Sequence, residues 1–317
     1  MRRLVLAKIL INASTPLYLQ LLGFFRQYSR VKDWRHLKTL GWMVSALIGS
    51  GKLSLPAWEP YVTSKASQAQ SFERRWRRFL MNDKINVEHI YLPLVMAALS
   101  KWKNQRLSLA IDTTVLWDKY CMIHLSVVCC GRAIPLLWDV LEHESATVAF
   151  TEYERLLRKA RWLLRGYDDV ILVADRAFAC HDLMAWLKLT DWHYALRLKC
   201  DVLIHGVNRH PIEVGKLYPL MNQAKLFTNV GLWTDGIHRA NLVLATVKGA
   251  KDSWAVITDE VPSLQYLRGV VNKGRALLVP IPLFSKDPEP CFASKKAQLD
   301  FYDSIWFERI VTINCKT

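Results

Sequence analysis

The chain has 317 residues, of which 51% are hydrophobic, and a formal net charge of +15. This length and apolar content suffice for a large core or for two to three smaller domains, which excludes a globally disordered chain. Residues 1–105 hold 17 Lys and Arg against 5 Asp and Glu, whereas residues 106–260 hold 18 of each sign. Because phosphate neutralisation supplies much of the affinity for DNA, this localised charge favours a nucleic-acid partner over a surface that is basic only for solubility.

The cysteines and the apolar runs indicate the compartment. The seven cysteines form no C-x-x-C pair, and their odd number argues against a complete disulfide framework. Lys8 interrupts an N-terminal apolar stretch that is short for a signal peptide, and no run of eighteen apolar residues follows. We therefore expect a cytoplasmic protein with no membrane partner.

The first predicted region, residues 1–105, is a basic helical DNA-binding region. In the segment 71–80 the apolar residues Phe72, Trp76, Phe79 and Leu80 recur at helical spacing. The other face of this helix is left to four arginines: Arg74, Arg75, Arg77 and Arg78. Such a cluster repels itself unless an anion is near, so we interpret it as a phosphate-contacting surface; a solvated surface helix is the alternative. Lys52 to Pro60, with two prolines, is predicted to be a loop.

From Leu107 the period changes to that of strands, and the predicted fold class is α/β. Three strands, a helix, a strand, a helix and a strand are predicted at Leu107–Ile111, Met122–Cys130, Ala133–Leu141, 148–164, Val170–Ala174, His181–Leu189 and His193–Lys199. The 148–164 helix is expected to close at Gly166. This order is that of a ribonuclease-H-like mixed sheet core, in which the first and fourth strands lie side by side and parallel.

The remaining sequence is divided into two segments. Residues 106–200 are assigned to the first part of the catalytic core, and residues 201–260 to a β-rich insertion without helices. Residues 261–317 are expected to be a divergent, irregular C-terminal segment, because four prolines fall within residues 279–290.

Two predicted strands run directly into an aspartate, Asp112 after the first and Asp175 after the fourth. Ligands of open α/β sheets bind at the carboxyl ends of the strands, and carboxylates there can hold a divalent cation. Two such metal ions can activate an attacking oxygen and stabilise a leaving one during phosphoryl transfer. A turn or helix-capping role for either aspartate is the alternative.

Three motifs carry a resemblance to a known family: Ala-Ile-Asp-Thr-Thr at 110–114, the run at 131–143, and Ala-Asp-Arg-Ala-Phe at 174–178. The segment 108–178 closely resembles the DDE transposases of bacterial insertion sequences, of the type named for insertion sequence 4. The similarity extends weakly over residues 60–265. It implies DNA transposition by a ribonuclease-H-like core with a β insertion, acting on double-stranded DNA at terminal inverted repeats and target sites.

The resemblance also implies particular residue roles. Asp112 and Asp175 match the first two acids of the family and would be the catalytic metal ligands for two Mg²⁺, with Mn²⁺ as a substitute. Water or a DNA 3′-hydroxyl would attack, so neither aspartate is a covalent nucleophile. Arg176 is a candidate phosphate contact, with pairing to a carboxylate as the alternative. A homodimer on paired DNA ends is implied by the family alone.

The third acid of the family is not identified. The family pattern of Tyr, Arg, Glu and Lys is absent, and Glu308 and Glu260 are weak candidates. The resemblance ends near Gln265, which suggests a frameshift or truncation. The alternative function is therefore a catalytically incomplete remnant that binds DNA ends without cutting and so inhibits transposition. A ribonuclease-H-like repair or recombination nuclease is a more distant alternative.

Overall fold

The computed structural model describes residues 16–62, 69–129, 132–248 and 252–262. The chain divides into two compact units, whose described residues end at Ser100 in the first and begin at Lys101 in the second. Within the described ranges no helix is both long enough and apolar enough to cross a membrane.

The described part of the first unit is helical. Its α-helices are α1 (residues 16–28), α2 (Trp34–Ser50), α3 (Leu55–Trp58), α4 (Ala69–Leu80) and α5 (Val87–Leu99). The predicted loop at Lys52–Pro60 is wrong in part, because α3 and a 3-10 turn at Glu59–Tyr61 occupy it. Pro56 is tolerated there because the first turn of a helix needs no amide donor.

Helix α2 has a capping interaction at each end. At its N-terminus the Asp33 carboxylate accepts the Arg35 amide at 2.8 Å. At its C-terminus Gly51 adopts a φ of 61°, and its amide donates to the Leu47 carbonyl at 2.9 Å. A left-handed residue at this position is typical of glycine, which has no Cβ to clash.

Arg35 holds the pKa of Asp33 down to about 2, first through its side-chain hydrogen bond and then through its backbone amide. We expect Arg35→Gln to raise this pKa towards the usual value near 3.8, because the charged donor is removed. A folded-state pKa below the unfolded one means that the stabilisation is present above the unfolded pKa and is lost as the pH falls towards 2. A carbon-13 NMR titration of the Asp33 carboxyl group measures the shift, and an unchanged pKa in the variant would contradict the assignment.

Helix α4 confirms the predicted amphipathic segment and places its apolar face in a core. Phe72 and Trp76 are buried in a cluster with Met43, Leu55 and Trp58. The Trp76 ring meets that of Trp58 edge-on at 5.6 Å. This contact ties α4 to α3, and each such buried aromatic side chain contributes roughly 1.5–3 kcal/mol.

The second unit contains one ten-stranded mixed sheet. Its strands are β1 (Leu107–Leu116), β2 (Tyr120–Cys129), β3 (Arg132–Glu142), β4 (Val170–Ala174), β5 (His193–Arg197), β6 (Leu203–His205), β7 (Ile212–Glu213), β8 (Gln223–Leu232), β9 (His238–Thr246) and β10 (Trp254–Thr258). Their order across the sheet is β3-β2-β1-β4-β5-β10-β9-β8-β6-β7. Helix α6 (Phe150–Leu163) lies between β3 and β4 in sequence, and α7 (His181–Thr190) between β4 and β5.

The first five strands have the predicted relationships. Strands β1, β2 and β3 are antiparallel neighbours, whereas β4 pairs parallel to β1 and β5 pairs parallel to β4. The predicted parallel contact between the first and fourth strands is confirmed. All five residues of β4 are buried, as is usual for a central parallel strand.

Other features of the second unit differ from the sequence prediction. Helix α6 ends with Leu164 as its cap, two residues before the expected Gly166. Strands β6 to β10 do not form a separate sheet, because β10 pairs antiparallel with β5 and continues the same sheet. Strands β7 and β8 were not predicted, and β8 has an irregular register between Phe227 and Val230.

Candidate active site at the carboxyl ends of two parallel strands

Asp112 and Asp175 lie at the same level of neighbouring strands. The parallel ladder of β1 and β4 ends with Ile111 opposite Ala174, and the two aspartates are the next residues. Neighbouring strands lie about 4.8 Å apart, and residues at equal register in a parallel pair face the same side of the sheet. The register therefore brings the two carboxylates to one edge.

The prediction that Asp112 follows the end of its strand is wrong. Strand β1 continues to Leu116, because its last five residues pair with β2 as an antiparallel hairpin after the pairing with β4 has stopped. Asp112 is thus exposed at the point where one side of β1 loses its partner. Its carboxylate accepts the Thr113 amide at 2.8 Å, and the Thr113 hydroxyl donates to the Ala146 carbonyl at 2.7 Å. These bonds fix the backbone that carries Asp112.

Asp175 forms an ion pair that was not predicted. Nη1 of Arg197 donates to Oδ1 of Asp175 at 3.1 Å, and Arg197 is the last residue of β5. The aspartate backbone carbonyl also accepts the Phe178 amide at 3.0 Å, which closes the turn after β4. Strand β5 is parallel to β4, so its carboxyl end, which carries Arg197, lies at the same edge as Asp112 and Asp175.

Arg176 is exposed, in keeping with a role in contacting phosphate. Its charge and that of Arg197 both act to lower the pKa of Tyr218, although burial outweighs them and raises this pKa overall. Both guanidinium groups are therefore close enough to act on Tyr218, and Arg197 also contacts Asp175. Because Arg197 is paired with Asp175, the exposed charge of Arg176 is the one that attracts anions to this edge of the sheet.

A histidine and a tryptophan lie at the same register as Asp112 on the next two strands of the sheet. His124 on β2 lies opposite Asp112, and Trp138 on β3 lies opposite His124. Burial lowers the pKa of the His124 imidazole below its usual value near 6.5, and the Asp112 carboxylate partly opposes that shift. His124 is therefore favoured as the neutral imidazole beside Asp112 at neutral pH. Neither residue was predicted from the sequence.

Glu260, a candidate for the third acid, does not lie at this edge. It follows β10, which runs antiparallel to β5, so it lies at the amino ends of β1 and β4. There both oxygens of its carboxylate accept the Arg106 guanidinium, at 2.6 and 2.9 Å. Asp112 lies six residues after Arg106 along β1, which amounts to about 20 Å at roughly 3.3 Å per residue. The candidate Glu308 lies outside the described residues.

The donor set at the edge fits a magnesium ion in part. Mg²⁺ is commonly held by one or two carboxylates, with water and substrate phosphate as the other ligands. Asp112 and Asp175 supply two carboxylates at matching register. In the described part of the chain, no group of three His, Cys, Asp or Glu side chains converges as a metal site.

The four arginines of α4 do not form one uniform surface. Arg75 is partly buried, and its guanidinium lies 4.6 Å from the ring centroid of Trp42. The assignment of Arg75 to the solvent face is therefore wrong, because position 75 lies one helical turn before Phe79, on the flank of the apolar face. Arg77 is exposed but pairs with Glu73 at 2.7 Å. Arg74 and Arg78 are exposed.

Comparisons with known proteins give limited similarity. No protein-family model and no curated protein matches the sequence. Among solved structures, a piggyBac transposase synaptic complex with hairpin DNA aligns with a TM-score of 0.40 and 11% identity, over 90% of this chain and 65% of that chain. An Argonaute of Marinitoga piezophila, in complex with guide RNA and target DNA, aligns with a TM-score of 0.26 and 10% identity, over 54% and 25% of the two chains. The chain thus spans about 65% of the length of the piggyBac transposase, and similarities of this size do not establish a family.

Proposed function

We propose that this chain is a DDE-type transposase, which cuts and rejoins DNA at the ends of an insertion sequence. The observation that carries the proposal is the shared register of Asp112 and Asp175 after the last paired residues of β1 and β4. The strand order β3-β2-β1-β4-β5 supports a ribonuclease-H-like core, with β6 to β10 as its insertion. The resemblance to transposases of the insertion sequence 4 type supports the same assignment.

In this proposal Asp112 and Asp175 hold Mg²⁺, or Mn²⁺ in its place. The bound metal supplies Lewis-acid activation of the attacking and leaving oxygens at phosphorus. Arg197 donates to one oxygen of Asp175 at 3.1 Å, which would leave the other carboxylate oxygen for the metal. Exposed Arg176 attracts the DNA phosphate, while neutral His124 adds no positive charge that would compete with the metal for Asp112.

The helical unit would hold the DNA ends. Arg74 and Arg78 are the exposed phosphate contacts of α4 in this proposal, and Arg77 would join them by leaving Glu73. Exposed ion pairs of this kind contribute only about 0.3–0.5 kcal/mol, so a phosphate can displace the Glu73 carboxylate at low cost. A homodimer would pair two ends of the element.

The direct test is an incubation of the purified chain with labelled duplex DNA from the borders of its own gene, in Mg²⁺, in Mn²⁺ and in EDTA. We expect end-specific nicking with either metal and none in EDTA, with binding retained in all three, because phosphate contacts do not need the metal. Absence of both end-specific binding and nicking would contradict the proposal.

A second function, binding without cutting, is favoured by one observation. Two acids follow β10 directly within the described residues, and both have partners at the opposite edge: Asp259 with His193 and Glu260 with Arg106. End-specific binding without nicking in either metal would assign this function. Cleavage that depends on the structure of the DNA and not on the end sequence would instead identify a ribonuclease-H-like nuclease of repair or recombination.

A further inference from the structure

A groove between α6 and α7 combines positive charge with exposed aromatic surface. We call this depression the α6–α7 groove, and its lining includes Arg158, Arg161, Trp162, Arg165, Trp186 and Leu189. The groove has a volume of about 560 Å³, which lies within the range of pockets that hold small organic groups.

The groove is separate from the candidate active site. Helix α6 ends just before β4 begins, and α7 ends just before β5 begins, so the groove lies towards the amino ends of these strands. Asp175 follows the carboxyl end of β4. The five residues of that strand span about 16 Å.

The charge on this part of α6 is strongly one-sided. Residues 155–165 contain five Lys and Arg and no Asp or Glu, although residues 106–260 as a whole are balanced. Arg158 pairs with Glu154 one turn earlier at 2.6 Å, in a largely exposed pair that contributes little. Among the residues described, Arg161 and Arg165 form no ion pair, so the groove has an excess of positive charge that an anionic partner would neutralise.

Two apolar side chains at the groove are unusually exposed. Trp162 is 63% exposed and Leu189 is 77% exposed, and they lie on opposite helices of the groove. The Arg165 guanidinium lies 5.1 Å from the ring centroid of Trp162. Buried Trp186 also lines the groove. Adjacent exposed apolar surface of this kind is typical of an interaction site.

We propose that the α6–α7 groove binds unpaired DNA, with a base against Trp162 and Leu189 and the flanking phosphates on the arginines. Proteins that bind single strands combine aromatic platforms with a positively charged track, which is the combination found here. A duplex presents mainly phosphates to a helix surface and would leave the aromatic surface unused. The site goes beyond the proposed function, because it requires neither Asp112 nor Asp175.

The test measures the affinity of the full chain for a labelled oligo(dT) strand and for a duplex of equal length, in EDTA so that no cleavage occurs. Trp162→Ala is expected to weaken single-strand binding by about 5- to 150-fold, the usual effect of losing one stacked base, with little change for the duplex. Trp117→Ala removes another exposed tryptophan, at 49% exposure, and is expected to change neither affinity.

The salt dependence tests the phosphate contacts separately. The triple variant Arg158→Ala, Arg161→Ala, Arg165→Ala is expected to reduce the slope of log affinity against log salt by about 2, at about 0.7 per single-strand phosphate. Arg209→Ala removes one exposed arginine outside α6 and α7, and as a control it should leave the slope unchanged. An unchanged slope in the triple variant would overturn the proposal.

Photocrosslinking localises the contact if the basic N-terminal region also binds single strands. A 5-iodouracil oligonucleotide is expected to crosslink to the segment 162–165, and Trp162→Ala should abolish that crosslink. Crosslinks that map only outside α6 and α7 would overturn the proposal, as would equal single-strand affinities of Trp162→Ala and the native chain. Because these readouts need no cleavage, they are independent of whether the chain is a transposase.

Discussion

Replacing Asp112 or Asp175 with asparagine is expected to reduce metal-dependent DNA cleavage by about 10³-fold or more, with folding and DNA binding retained. An amide is a poor ligand for Mg²⁺, and the loss of metal activation removes several kcal/mol of transition-state stabilisation; about 4 kcal/mol corresponds to this factor. Asparagine has nearly the same shape as aspartate, and its Oδ1 can still accept the Thr113 amide that Asp112 accepts at 2.8 Å.

A matched control is available within the same sheet. Asp139 on β3 is exposed, and its Oδ1 accepts the amide of the following residue, Val140, at 2.9 Å. Asp139→Asn therefore changes an aspartate in the same local environment, outside the candidate metal site, and is expected to cleave at the native rate. Titration with Mn²⁺ followed by electron paramagnetic resonance separates metal binding from cleavage. Native cleavage by both Asp112→Asn and Asp175→Asn would remove these residues from the site.

The position of these aspartates could be predicted because two local patterns coincide. Each follows an aliphatic segment that is too short for a helix, and a central strand of a parallel pair has to be apolar on both faces. The parallel contact of β1 and β4 then follows from the order of the elements. What the sequence did not reveal is that β1 continues beyond Asp112, because the length of an antiparallel hairpin depends on its partner strand.

The remaining site residues depend on long-range register, which a single sequence does not specify. His124 and Arg197 reach the edge only through pairing across β2 and β5. Strand β8 escaped prediction because Gln223–Leu232 mixes polar and apolar residues without regular alternation, and its register shifts near Asn229, which adopts a φ of 53°. Glu260 also depends on a long-range contact, because its salt bridge to Arg106 holds it at the other edge of the sheet.

The Arg106 salt-bridge network is expected to be the largest single polar contribution to the stability of the second unit. Nε of Arg106 lies 2.9 Å from both oxygens of Asp169, while Nη1 and Nη2 bind the two oxygens of Glu260. The arginine and Glu260 side chains are 19% and 15% exposed. These bonds join the starts of β1 and β4 to the segment after β10.

Arg106→Met is expected to destabilise the protein by about 2–4 kcal/mol, since it leaves the half-buried Glu260 charge without its cation. Asp169 is 41% exposed, so water can solvate its carboxylate when Arg106 is removed. The expected loss of stability is therefore below the upper limit for breaking a buried pair. Lys119→Met removes the exposed pair with Glu142 in the same unit and should change the stability little, because water screens this pair. Urea unfolding of each variant, followed by far-ultraviolet circular dichroism, measures the difference.

A double-mutant cycle distinguishes a structural role of Glu260 from a catalytic one. Arg106→Met combined with Glu260→Gln should recover part of the lost stability, because the uncompensated charge is removed together with its partner. Glu260→Gln alone should leave metal-dependent cleavage at the native rate, since its partner Arg106 lies about 20 Å from Asp112 along β1. Loss of cleavage in Glu260→Gln without loss of stability would show instead that the glutamate leaves Arg106 and acts at the metal site. Retained cleavage with reduced stability would fix Glu260 as a structural anchor and assign any third acid to another part of the chain.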